Sequence, residues 1–262
     1  MKEEKIKEEA SISQSSFYFA MRILPSKQSS AMFQVYAFCR AVDDIADSDL
    51  PRIERKIALD RWRQDIESCF LGRPPKRLAM LKHKIQEFDL QLSDFQSMID
   101  GMAMDIAVNI CAPDESTLDL YCDRVASSVG RLAVKIFGMQ DGPGHALAHH
   151  LGRALQLTNI LRDIDADAKI NRCYLPRDIL EYEGILPLDP KYIARHPTLP
   201  RVCAVLTHRA FNHFNKADEI MDATPLALVQ MPRIMASVYR YILKSLNKSL
   251  RKLNTKMLLT ST

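Results

Sequence analysis

The chain has 262 residues, 47% of them hydrophobic and only 8 of them Gly, enough to bury one large core in a single domain. A net charge of +4 is too small to imply a nucleic-acid partner, and the six cysteines, lacking any Cys-x-x-Cys spacing, read as reduced thiols buried in a cytoplasmic protein. No apolar run reaches the roughly 18 residues of a membrane span, and Met1 to Glu9 is too charged for a signal peptide.

Residues 1–10 alternate Lys and Glu around one Ile and are expected to form a flexible, solvated segment. Helical periodicity of 3.6 then fills the chain and period-two alternation is scarce, which predicts an all-α domain over 11–255 followed by a short tail, 256–262. A first helix is expected over 11–22, ended at Leu24-Pro25, with Ser15 and Ser16 near its start. Their hydroxyls suit a diphosphate oxygen or simple capping.

The stretch Ala31 to Asp47 has no Gly or Pro and is apolar on most of its circumference. It nevertheless carries Tyr36, Arg40, Asp43 and Asp47 at offsets 0, 4, 7 and 11, a polar stripe on one helical face. Buried carboxylates are costly unless paired, protonated or bound to a cation, so the stripe needs a partner.

Helices are expected at 51–71 and 75–89, charged on an outer face, with Trp62 as a packing residue. A further helix at 93–109 contains Gly101, read as a close approach by a neighbouring helix or ligand, and Asp105, read as a supporting acid. In the helix expected at 113–137, Tyr121, Val125, Ser128 and Leu132 share one face, suited to lining a cavity or to tight packing.

The partner stripe lies about 120 residues after the first, on Leu155 to Asp167: Gln156, Asn159, Asp163 and Asp167 at offsets 0, 3, 7 and 11. Each stretch ends in Asp-x-x-x-Asp, and two such pairs facing each other suit a hard divalent ion that bridges to substrate phosphates. His145 and His149, upstream on the same helix, have the i, i+4 spacing of zinc sites, but with no third ligand nearby they read as a solvated helix end. Residues 182–200 are rich in Pro and expected to be irregular; helices resume at 199–222 and 232–253. After Asp222 there are seven basic residues and no acid, a charge pattern suited to an anionic membrane surface or to solvent.

Four blocks resemble the squalene and phytoene synthase family: Ser16 to Pro25, Tyr36 to Asp47, Tyr121 to Gly130, and Leu157 to Asp163 continuing through Tyr174-Leu-Pro176. Together with Val238 to Leu243, the first block is most similar to the bacterial, hopanoid-associated presqualene diphosphate branch. The resemblance implies an isoprenoid-synthase-type helical bundle around a central cavity. It implies head-to-head joining of two farnesyl diphosphates to presqualene diphosphate. The alternatives are phytoene synthesis from two geranylgeranyl diphosphates, complete squalene synthesis, or a non-catalytic assembly factor.

By the same resemblance, Asp43, Asp47, Asn159, Asp163 and Asp167 are expected to hold Mg²⁺, for which Mn²⁺ can substitute, and no NADPH is expected. Tyr36, Arg40 and Tyr174 join the four aspartates as catalytic candidates. Ser16, Phe17, Phe19, Tyr121, Val125, Gln156, Asn159, Arg162, Arg172 and Tyr239 are candidates for substrate binding, with Phe33, Phe38 and Leu155 as further wall residues. The expected partners are the prenyl diphosphates, a downstream enzyme that receives presqualene diphosphate, and the inner face of the membrane.

Overall fold

A computed structural model describes residues 17–107 and 110–260, with side chains described as far as residue 249. The expectations for residues 1–10, for Ser15 and Ser16, and for the side chains of Arg251, Lys252 and Lys256 lie outside the described residues. Helix is the only extended regular structure among those described, joined by one isolated bridge between Cys111 and Cys173. None of these helices is long and apolar enough to cross a membrane.

Residues 17–22 are helical. The chain then forms α1 (Ser26–Asp47), α2 (Arg52–Phe70), α3 (Ala79–Glu87) and α4 (Leu92–Ala107). Pro25 and Pro51 stand immediately before α1 and α2, where a missing N–H costs nothing. α5 (Glu115–Cys122) is capped by Asp114, whose carboxylate accepts from the Thr117 N–H at 2.7 Å. It continues through a π-helical turn, Asp123–Ser127, into α6 (Ser128–Phe137). Gly138, in the left-handed region with φ of 81°, ends α6.

α7 (Asp141–Lys169) is followed by the short helices α8 (Arg177–Tyr182) and α9 (Pro190–Ile193), then α10 (Leu199–Asp222) and α11 (Leu226–Thr260). α11 runs through Pro232, so the last helix starts earlier and continues later than the 232–253 expected from sequence.

Two cores share the molecule. One gathers α1 to α4 with α6; the other gathers α7, α10 and α11. Phe38 belongs to the first, buried edge-on between Trp62 and Phe95 with ring centroids 5.7 and 5.1 Å away. Such aromatic pairs contribute about 1 kcal/mol each beyond area burial and pin the apolar side of α1 outward, which turns its polar stripe inward. Phe38 is therefore a core residue and not the cavity wall residue expected from sequence. Val125 and Tyr239 pack against both cores and mark the boundary between them.

The π turn decides which face of this segment looks inward. It is pressed between two glycines: a Cβ on Gly101 of α4 would stand 2.5 Å from Val125 Cγ1, and one on Gly152 of α7 would stand 2.9 Å from the Ser127 backbone nitrogen. Gly101 thus marks the close helix approach expected of it. Val134 meets Gly144, Ala148 meets Gly130, and Ser127 meets Gly152, so α6 and α7 run antiparallel at backbone contact. A π turn carries one residue more than an α turn would, so the face expected to contain Tyr121, Val125, Ser128 and Leu132 does not stay together. Ser128 and Leu132 are wholly buried away from the cavity, while Ala126, Val129, Gly130 and Ala133 turn into it.

Candidate active site

Between the two cores lies a cavity of about 500 Å³, within the range of small-molecule sites. Its wall along α7 runs from Leu147 to Arg162, about 22 Å at 1.5 Å per residue. One end is apolar, closed by Phe137, Leu147 and Met231; the other carries Arg40, Asp43, Gln156, Asn159 and Arg162. Small side chains from the π turn and α6 make the middle of the wall. Among the described residues that line the cavity, the one thiol is not activated: burial pushes Cys39 up to about 12, so it stays protonated.

Of the sequence candidates, Phe17, Tyr36, Arg40, Asp43, Val125, Leu155, Gln156, Asn159, Arg162 and Tyr239 line this cavity. Phe17 packs against Tyr36 with ring centroids 5.5 Å apart, which puts two aromatic rings at the wall. Phe19 differs: it is 61% exposed, on the side of its helical segment turned away from the cavity. Phe33 pairs edge-on with Tyr18 at 5.2 Å and also stands outside the lining.

Tyr121 and Tyr174 stack on each other with centroids 4.8 Å apart and donate to one carboxylate, that of Asp105, at 3.1 and 2.7 Å. They are buried behind the acidic end and are not part of the cavity wall. Asp105 is central to this cluster. Burial raises its pKa to about 6 against the hydrogen bond from Tyr174 and the charge of Arg172.

The remaining acids gather at the polar end. Arg172 donates to Asp47 at 2.7 Å and to the Ala46 carbonyl at 3.0 Å, which ties the loop after α7 to the end of α1. Arg162 grips Asp163 through two nitrogens at 2.8 and 2.7 Å. Arg40 lies 3.6 Å from Asp43 and 3.0 Å from Asp44. Burial, followed by the charge of Asp47, lifts Asp43 to about 6; burial, followed by Asp163, lifts Asp167 to about 7. Asp105 and Asp47 add to the repulsion felt by both, so carboxylates from α1, α4 and α7 are in electrostatic contact.

This acidic end fits a divalent cation. The Asn159 side-chain oxygen is buried without a hydrogen-bond partner, an expense that a cation would relieve. Burial, followed by the charges of neighbouring carboxylates, raises Asp43 and Asp167, the condition a hard cation reverses.

Residues 12–261 match the family model for squalene/phytoene synthase. The presqualene diphosphate synthase of Rhodopseudomonas palustris is 56% identical over 232 residues, covering 88% of this chain and 83% of the relative. That of Zymomonas mobilis is 52% identical over 233 residues, covering 88% and 80%. Among solved structures, a squalene synthase of Alicyclobacillus acidocaldarius superposes with a TM-score of 0.80 at 24% identity over 94% of both chains, which shows a common fold. The chain belongs to the squalene/phytoene synthase family, all-helical prenyltransferases that act on prenyl diphosphates with a divalent metal.

Proposed function

We propose that the chain joins two farnesyl diphosphates head to head into presqualene diphosphate, releasing one diphosphate and one proton. The observation that carries this reading is the polarity of the cavity: Asp43, Arg40, Arg162, Gln156 and Asn159 at one end, with the other aspartates in electrostatic contact beside it, and an apolar tunnel over the rest. Diphosphate groups fit the first and prenyl chains the second. The relatives at 52% and 56% identity, named presqualene diphosphate synthases, support this product over phytoene.

Asp43, Asp47, Asn159, Asp163 and Asp167 would hold Mg²⁺, with Mn²⁺ as a substitute. When bound, the ion stabilises the leaving diphosphate as a Lewis acid. Arg40, Arg162 and Arg172 neutralise the same oxygens by charge-assisted hydrogen bonds once the acids engage the cation. Ionisation of the first substrate leaves an allylic cation, which adds across the second substrate's 2,3 double bond; loss of a proton closes the cyclopropane. Apolar walls keep water from that cation, and the rings of Phe17 and Tyr36 present π faces to it. Tyr121 and Tyr174 act by holding Asp105, and Tyr239 by bordering Arg162 at the cavity.

In this reading, residues 11–255 form one catalytic domain and Ser16 meets diphosphate. The basic end of α11 rests on the inner face of the membrane, where a downstream enzyme takes the product. The full chain incubated with farnesyl diphosphate and Mg²⁺, with and without NADPH, tests the proposal by mass spectrometry of the extract. Presqualene diphosphate in both reactions is expected. Squalene formed only with NADPH, or product formed only from geranylgeranyl diphosphate, would overturn it.

A further inference from the structure

Three imidazoles meet on the far side of α7. His149 and His150 come from α7 and His213 from α10, the helix packed along it. The His150 and His213 Nδ1 atoms face each other at 3.0 Å. One nitrogen from each of the three rings lies within 4.8 Å of the others. The ring centroids are 4.8, 5.2 and 5.9 Å apart.

Zinc bound to imidazole at about 2.0–2.1 Å in a tetrahedron holds neighbouring nitrogens about 3.4 Å apart. The His150 and His213 pair therefore needs to open by only a few tenths of an ångström, and His149 to swing inward by a rotamer adjustment. Burial, followed by Arg153 and the neighbouring imidazoles and against the nearby acids, lowers the proton affinity of all three rings, His213 down to about 4, so their lone pairs are available near neutral pH. The nearby acids are engaged elsewhere: Asp119 and Asp123 with Arg153, and Glu219 with Lys216. The donor set is thus imidazole alone, which favours a zinc-class ion over Mg²⁺. His150 lies about 140° around α7 from Leu155, and none of the three histidines lines the cavity, so this cluster is separate from the aspartate end.

We propose that His149, His150 and His213 form a zinc-class metal site that clasps α7 to α10, with a water completing the tetrahedron. Its position across the two helices assigns it a stabilising role. α7 carries half of the acidic end, and a clasp in its N-terminal half holds that helix against α10.

Full-length protein, stripped with a chelator and titrated with Co²⁺ in excess Mg²⁺, tests the site. One equivalent should give the intense visible absorption of four-coordinate cobalt, displaced by Zn²⁺. Zn²⁺ at about a hundred times its dissociation constant should raise Tm by about 5 °C or more. His213→Gln and His150→Gln should each abolish both signals, while Asp163→Asn should keep both. Prenyl transfer by the two histidine variants should stay within about twofold of the parent, which also reports that they fold. Failure of the unmodified protein to give the four-coordinate band would overturn the proposal without any variant. A band that survives both histidine substitutions, or one lost with Asp163→Asn, would do the same.

Discussion

Two clusters of buried charge flank the π turn, and they are built on opposite terms. On the outer side, Arg153 holds Asp119 through two nitrogens at 2.8 and 2.9 Å and the Ser127 hydroxyl at 2.9 Å, and Arg131 joins Asp94 to Asp123. Every acid there has an arginine. Asp119 is accordingly held below the usual carboxylate range by its hydrogen bonds from Arg153, although burial still raises Asp94. On the inner side, Asp43, Asp47, Asp105, Asp163 and Asp167 face Arg40, Arg162 and Arg172, and the acids outnumber the bases. Asp43, Asp105 and Asp167 are all raised. The balanced cluster stabilises the fold; the acids of the unbalanced one repel one another, which the cation proposed for them would relieve. Imbalance is the mark of the site.

The sharpest way to break this contrast is to neutralise an acid on each side. Asp43→Asn, Asp47→Asn, Asp163→Asn and Asp167→Asn should each lower turnover by about a hundredfold or more, measured at saturating Mg²⁺. Metal-free Tm should hold or rise for Asp43→Asn and Asp167→Asn, because like charges are relieved. Normal turnover in any of the four variants would remove that residue from the metal site.

On the balanced side the expectation reverses. Arg153 is 5% exposed, and Arg153→Met takes a hydrogen-bond donor from the wholly buried Ser127 hydroxyl, whereas Asp123 keeps Arg131 and Asp119, with its side chain 62% exposed, regains water. The cost should be about 2 kcal/mol, a fall in Tm of about 4–8 °C, with turnover nearly unchanged. A variant that loses turnover and keeps its Tm would show that the outer cluster also serves the reaction.

Protons sharpen the same comparison. The folded-state pKa values of Asp43 and Asp167 lie above the ordinary 3.8, at about 6 and about 7. Between pH 4 and 7 the folded protein therefore binds more protons than the unfolded chain. The stability these groups give is complete at low pH and is lost as pH rises through the folded values. Metal-free protein should lose several °C of Tm between pH 5 and pH 8, and Mg²⁺ with diphosphate should restore it most at pH 8. Calorimetry across this range checks the sign. The smallest effect belongs to Tyr121→Phe, which leaves Asp105 with Tyr174 alone. A loss of about 1 kcal/mol and a modest fall in turnover are expected, read by denaturant titration and kinetics.

The stripes on α1 and α7 were legible because 3.6-residue spacing survives in sequence: Tyr36, Arg40 and Asp43 reach the cavity, as do Gln156 and Asn159. What failed was whatever depends on partners distant in the chain. Phe38 and Phe17 are equally aromatic, and only the positions of Trp62 and Phe95 assign the first to the core. Tyr121 and Tyr174 were legible as important, but their shared carboxylate, Asp105, comes from a third helix. His213 lies 63 residues beyond His150, so no local spacing connects them.

The π turn at Asp123–Ser127 also changes how residues 128–137 should be compared with those of relatives. Straightened into ordinary helix with its residue count kept, it would swing every later side chain by about 100°. Ser128 and Leu132 would rotate toward the cavity, and the stripe of Val129, Gly130 and Ala133 would rotate away from the wall it now forms. Composition would scarcely change, yet the room for a prenyl chain would. A residue deleted in this segment would instead close the turn and leave the later side chains facing as they do now, so relatives with and without the turn should be aligned there by geometry before their side chains are compared.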